Sequence, residues 1–379
     1  LPSTIGTSTD PLAVFPPFLR RSFANGLYWF FYSDGTNIVY RTSTDGLTWS
    51  AATTVRACAS GDSFSIWFDG TYLHYAYASG GGIYYRRGTP NADGTITWSN
   101  VEQAIGTTYG EAYTPFVSVD SNGYVWIGYY DADGANYYPF VIKSGNNDGT
   151  WGTTPPGFPH QLSITADAGW RVSVIPLTAG KMLAVYAYTG VTVKVKAWDG
   201  SAWGTEVATT SLIQYGYCHS AVAQDDDVHL VFLKNTEYDI LYVKYTYSTN
   251  SFGTETTLQA GATSTSAPVI SRDPNANDLC VFYATKTTGS PSGSTANHIY
   301  YMKYTASTGT WSSAVDWLDE TTEVLRGSNR LTCFYNNYDF KVGILYMTKT
   351  LSPYNIRFDL LYLFALHAQR VMGMMHSGL

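Results

Sequence analysis

A short aromatic turn returns six times along the chain, as Thr48-Trp49-Ser50, Thr97-Trp98-Ser99, Thr150-Trp151-Gly152, Ala202-Trp203-Gly204, Ser251-Phe252-Gly253 and Thr310-Trp311-Ser312. Its aromatic residues lie 49, 53, 52, 49 and 59 positions apart, so one repeated unit organises most of the 379 residues. Each unit has the same internal order. A tight turn (Asn25-Gly26, Asp69-Gly70, Asn122-Gly123, Ala179-Gly180, or the Asp-rich Asp225-Asp226-Asp227 and 275–278) precedes a run of large residues at 27–31, 72–76, 124–128, 182–186, 228–232 and 279–283. A second such run follows at 38–41, 83–86, 137–140, 193–196, 241–244 and 299–303, and the aromatic turn then opens a last strand. Asn and Gly supply the positive φ that two-residue hairpins need. A period near 50 residues built from four short strands is that of a propeller blade, which buries its faces only against neighbouring blades.

A seventh unit runs from Arg326, with strands expected at 331–334, 342–346 and 358–362 but without the aromatic turn. Its missing outer strand is expected from the Thr/Ser-rich segment 4–9, a closure that leaves the ring no free edge. The fold expected is therefore all-β, a single seven-bladed β-propeller of four-stranded antiparallel blades over 1–366. The blades fall at 14–56, 57–106, 107–163, 164–210, 211–261, 262–323 and 324–366, with 1–13 closing the last and 367–379 forming a tail. Composition agrees: 32 Tyr, 17 Phe and 11 Trp suit pleated surfaces, and an all-α chain is excluded.

Only 13% of residues are charged, and the net charge is −7 with 22 Lys and Arg dispersed, so nucleic acid is not an expected partner. The longest apolar run, 360–366, is too short to span a bilayer, and the polar start at Leu1 is unlike a signal peptide. A Tyr/Thr/Ser-rich, charge-poor surface points to an extracellular or cell-surface location. Cys58, Cys218, Cys280 and Cys333 lack metal or redox spacing and are read as buried small hydrophobes, with disulfide pairing left open. The Asp-rich segments 225–227 and 273–278 sit at hairpin positions and are read as turns, so no metal or cofactor is expected.

The segment Ser43-Thr44-Asp45-Gly46-Leu47-Thr48-Trp49 resembles the Asp-box, or BNR repeat, of sialidase-like propellers, with degenerate relatives at Asp93-Gly94-Thr95-Ile96-Thr97-Trp98, Asp148-Gly149-Thr150-Trp151 and Asp199-Gly200-Ser201-Ala202-Trp203. In that family the box is a folding device: the Asp holds a turn and the Trp packs between sheets. It implies architecture, not an active site.

Ligands of propellers usually sit where the innermost strands begin. Asp62, Glu111, Arg171, Tyr215, Tyr217, His219, Arg326 and Arg330 fall there. The resemblance implies a sialidase-like hydrolase using Arg171 with Arg326 or Arg330 on a sugar carboxylate, Tyr217 as nucleophile, Glu111 beside it and Asp62 as acid. Against this, the first inner strand follows Phe15-Pro16-Pro17-Phe18, where sialidases carry Arg-Ile-Pro, and sialidases have six blades. Seven-bladed polysaccharide lyases offer the other chemistry, with Arg171 neutralising a uronate and His219 or Tyr217 moving the proton; strand alternation would put Tyr217 and His219 on one face. Each residue also has a structural alternative: arginines bridging blades through carboxylates, and His219 as a satisfied core residue. The reading favoured is extracellular recognition of a carbohydrate, an acidic one included, through Arg171, Tyr215, Arg326 and Arg330. Carbohydrate-active enzyme, and structural or adhesive subunit binding a protein partner, are the alternatives.

Overall fold

The computed structural model describes residues 2–59, 63–99, 101–285, 298–320, 325–327 and 329–363. Seven antiparallel sheets follow one another along the chain, and these are the blades. Their inner strands are Ser22–Ala24, Phe64–Phe68, Tyr113–Val119, Arg171–Pro176, His219–Gln224, Val269–Arg272 and Leu331–Cys333, numbered blades one to seven in that order. A single 3-10 turn, Tyr247–Thr249, is the only helical element among the described residues. The C-terminal tail expected at 367–379 lies outside them.

Burial falls from the axis outward. The second strands Tyr28–Ser33 and Met182–Ala187 are buried at every residue because blades cover both their faces, which explains their unbroken apolar runs. The third strand Thr192–Trp198 alternates buried and half-buried positions. The core is accordingly a chain of clusters between blades; one joins blade one to blade seven through Phe30, Phe334 and Phe358. Inner strands do not pair with one another, and small hydroxyls bridge them instead. Ser65 of blade two accepts the Val117 N–H at 2.8 Å, and Ser220 of blade five accepts that of Ile270 at 3.3 Å.

The aromatic turns do what packing of wedge-shaped blades requires. Trp151 is 5.9 Å from Tyr85 of the preceding blade, Trp203 is 6.0 Å from Trp126, and Trp311 is 5.0 Å from Tyr242. Their place in the strand order differs from the sequence reading. Trp98 and Trp311 end short rungs, Ile96–Trp98 and Thr310–Trp311, and separate outer strands, Gln103–Ile105 and Val315–Asp319, then rejoin the blade. Trp49 and Trp151 lie in the turn itself.

Carboxylates hold these turns. Asp45 Oδ1 accepts the N–H groups of Leu47 at 2.7 Å and Thr48 at 2.8 Å, and Asp199 Oδ1 does the same for Ser201 and Ala202 at 2.7 and 2.8 Å. Those bonds hold both carboxyls below their usual range. Gly46 is required: its φ is +76°, and a Cβ there would meet Phe358 of blade seven at 2.8 Å.

Ser3–Ser8 runs antiparallel to Tyr354–Tyr362 and supplies blade seven with its outer strand. Trp49 Nε1 donates to Ser3 Oγ at 2.9 Å, which ties this strand to the first aromatic turn. All four cysteines are free thiols; three are buried and Cys58 is half-buried.

Candidate functional site

The face where the inner strands begin is aromatic and cationic. Arg171 opens the inner strand of blade four. Its Nη1 donates to the Trp170 carbonyl at 2.6 Å, its guanidinium lies 5.0 Å from the Tyr130 ring centroid, and its Nε has no partner. Arg330, just ahead of the inner strand of blade seven, donates from Nε to Pro11 O at 3.0 Å and from Nη1 to Asn329 Oδ1 at 2.5 Å, and covers the Phe15 ring at 4.5 Å. Neither has a carboxylate within ion-pair distance among the described residues, so the expectation of local inter-blade ion pairs is not met, although Asp167 lies within electrostatic reach of Arg171 and Asp10 of Arg330. Burial lowers both pKa values; Arg330 falls to about 10, with the like charge of Arg326 contributing.

Tyr217 lies within electrostatic reach of both guanidinium groups. It stacks on Tyr215 at 5.2 Å, meets Phe15 edge-on at 4.9 Å, and its hydroxyl accepts from Asn329 Nδ2 at 3.4 Å. Burial pushes its pKa upward. Next to Arg171, Tyr130 stacks on the exposed Tyr113 at 5.1 Å, with Tyr137 at 5.9 Å. The structure thus brings together Arg171, Tyr215, Tyr217 and Arg330 and adds Phe15, Tyr113, Tyr130 and Asn329.

The remaining candidates divide. Asp62 lies outside the described residues. Arg326 faces the Tyr354 ring at 5.1 Å on the third strand of blade seven and lies within electrostatic reach of Arg330. Glu111 is exposed and acts on Tyr113 rather than Tyr217; its N–H is held by buried Asp131 Oδ1 at 2.9 Å, which fixes the loop. His219 is completely buried, with Nδ1 on the Gly216 carbonyl at 2.7 Å and Nε2 on Ser173 Oγ at 2.9 Å. A carbonyl only accepts, so Nδ1 carries the proton, Nε2 accepts from Ser173, and burial drops the pKa to about 4. This is the core alternative for His219, and it leaves no ring nitrogen for a substrate. Strand alternation misplaced the pair because Tyr215 to Cys218 is a turn, closed by Cys218 N–H to Tyr215 O at 2.8 Å, and the strand begins only at His219.

Arg20 was absent from the sequence reading, although it opens an Arg-Arg pair directly ahead of the first inner strand. Its guanidinium crosses the axis, donating to Ala221 O at 2.9 Å and Ile270 O at 3.2 Å in blades five and six. The centre of the disc is therefore occupied by a buried side chain.

No protein-family profile and no curated protein matches the chain by sequence. Among solved structures it is similar to a polysaccharide lyase, with a TM-score of 0.55 and 9% identity over 93% of this chain and 91% of the lyase. It is also similar to the sialidase of Trypanosoma rangeli (0.52, 13%, 97% of this chain) and to the fucose-recognising lectin of Aleuria aurantia (0.50, 12%, 80% of this chain and 96% of the lectin). The chain spans 56% of the sialidase's length. At such identities the likeness is one of fold, and the chain is a seven-bladed β-propeller.

Proposed function

We propose that this propeller recognises carbohydrate outside the cell, with an acidic sugar seated on the strand-start face between Arg171 and Arg330. The observation that carries this reading is that two guanidinium groups, neither in an ion pair among the described residues, both lie within electrostatic reach of Tyr217. A carboxylate leaving water needs such charge-assisted partners. Tyr113, Tyr130, Tyr215 and Phe15 supply rings on which the C–H faces of a sugar stack. The carbohydrate-directed names of the lyase, the sialidase and the lectin agree with this reading, and the Asp45 turn supports kinship with the Asp-box propellers.

Catalysis has less support. The Tyr217 proton is held more tightly than usual, and no activating carboxylate lies beside it among the described residues. Binding of sialylated and uronate-terminated oligosaccharides tests the proposal. Arg171→Met and Arg330→Met should each weaken it by about 1.5 to 3 kcal/mol, the worth of a hydrogen bond to a charged group, while the fold stays intact. Equal binding by wild type and both variants would overturn the acidic-sugar reading, and release of new reducing ends or unsaturated uronate would replace it by an enzymatic one.

A further inference from the structure

We infer, resting on the acidic-sugar reading, that the site extends outward from Arg171 along blade three, where tyrosines take an uncharged pyranose linked directly to the acidic residue. The extension begins at Arg171 itself. Its guanidinium lies 5.0 Å from the Tyr130 ring centroid, Tyr113 is stacked on Tyr130 at 5.1 Å and 21°, and Tyr137 stands across the two at 5.9 and 6.5 Å. One face of the Tyr113 ring is covered by Tyr130, so the 38% exposure of this residue belongs to its other face and its edge. Such a ring suits the C–H face of a sugar.

Tyr113 reaches this place only through an irregularity of the backbone. Where the inner strand pairs with Val125–Asp133, Phe116 faces Gly128 and Tyr113 faces Tyr130, so the inner strand carries one residue more than its partner. Regular pairing would set Thr114 against Tyr130 and turn Tyr113 to the opposite face of the blade. The bulge brings it instead to the face shared by Gly128 and Tyr130, which packs on Val172 of blade four, the residue next to Arg171. Thr114 absorbs the extra residue with a φ of +48°, a left-handed conformation that is costly for a β-branched side chain, and its buried Oγ1 has no hydrogen-bond partner among the described residues. A bulge that delivers an exposed ring returns little to the stability of the fold. Strain of this kind gathers at ligand sites.

Charge changes sign along the same path. Tyr130 lies within electrostatic reach of the Arg171 guanidinium, whereas the charged groups acting on Tyr113 are the carboxylates of exposed Glu111 and buried Asp131. Asp131 is fixed, because its two oxygens accept the N–H groups of Tyr109 and Glu111 at 2.8 and 2.9 Å. An acidic residue thus has its place at Arg171, and a second one on the Tyr113 ring would meet two like charges. The unit carried there is therefore uncharged. The ligand class this selects is a glycan in which an acidic residue is followed by a neutral one, in preference to a run of consecutive acidic residues.

The test titrates the whole chain by calorimetry with sialic acid, sialylgalactose and disialic acid, and with galacturonic acid, galacturonosyl-rhamnose and digalacturonic acid. In at least one series the acidic-neutral disaccharide is expected to bind about tenfold more tightly than the acidic monosaccharide, and the diacidic one no more tightly than the monosaccharide. Tyr113→Ala should bring the ratio of acidic-neutral disaccharide to monosaccharide affinity down to about one, and Tyr113→Phe, which keeps the ring, should preserve it. Arg171→Met should lower both affinities together. Glu111→Gln should raise the diacidic affinity relative to the acidic-neutral one, and as a change at an exposed residue it serves as the test if Tyr113→Ala does not fold. Equal binding of the monosaccharide and both disaccharides, preference for the diacidic ligand, or a ratio that Tyr113→Ala leaves unmoved overturns the inference and leaves the acidic-sugar reading standing. Absence of binding by every acidic sugar overturns both.

Discussion

At the rim of the disc, Asp45, Asp93, Asp148 and Asp199 each accept backbone N–H from residues that follow, and Trp49, Trp151 and Trp203, next in line after three of them, pack on the preceding blade. At the hub, the residues that open successive inner strands have little in common: Tyr113 in blade three, Arg171 in blade four, buried His219 in blade five, Leu331 in blade seven. The rim solves one packing problem several times, and its sequence repeats because the solution does. The hub has no repeated problem, since each inner strand meets a different pair of neighbours and a different part of the axis. Similarity between blades thus marks where stability is made, and divergence marks where a ligand can be told apart.

Substitution at the rim should therefore cost stability and at the hub binding. The largest effect is expected for Trp151→Ala, about 3 to 5 kcal/mol in denaturant unfolding, because this indole is 5% exposed and fills a gap between blades. Trp98 is half-buried, and its loss should cost about 1 to 2 kcal/mol. Should Trp151→Ala prove no worse than Arg171→Met in unfolding, the contrast between rim and hub collapses.

His219 sharpens the comparison, being a hub residue with a structural role. Its folded pKa is about 4, whereas an unfolded histidine takes its proton near 6.5. Between these values the unfolded chain binds more protons, so stability is full above pH 6.5 and falls as the pH drops toward 4, by up to about 3 kcal/mol from this group. Burial lowers His160 and His229 in the same direction, so the informative quantity is the difference from His219→Gln, whose stability should change less steeply over that window. Identical slopes would mean that His219 is not buried neutral. An effect as small as that at Trp98 is expected for Gly46→Ala, about 1 to 2 kcal/mol, from its positive φ and the contacts its Cβ would make across the seam between blades one and seven. A variant as stable as wild type would show that the seam adjusts freely.

The same division explains what could be read in advance. Six of the seven blades could be read from the aromatic turns, because turn chemistry and packing are local and periodic, and the seventh with its closure from strand runs and the Thr/Ser-rich first strand, whereas the place of the turns within the blades could not. Arg171, Tyr215, Tyr217 and Arg330 could be placed on one face by counting. The Tyr217 and His219 pairing failed on a turn whose start no residue type announces. Tyr130 was passed over because it lies in a strand read only for its apolar run, and Asn329 because a single amide between strands carries no pattern. Arg20 escaped notice since its acceptors are backbone carbonyls some 200 and 250 positions away, which no sequence motif encodes.

The closure of the ring has a consequence for how the chain is made. The bond from Arg357 to Thr4 joins residues 353 positions apart, so Ser3–Ser8 waits for its partner until the last blade has been synthesised. Such distant pairing is entropically costly and slow. In the interval Ser3–Ser8 is a loose strand and Tyr354–Tyr362, once formed, an open edge. When many copies refold together, each edge is offered the first strand of its neighbours as well as its own, and the product divides between closed monomers and strand-exchanged chains according to concentration.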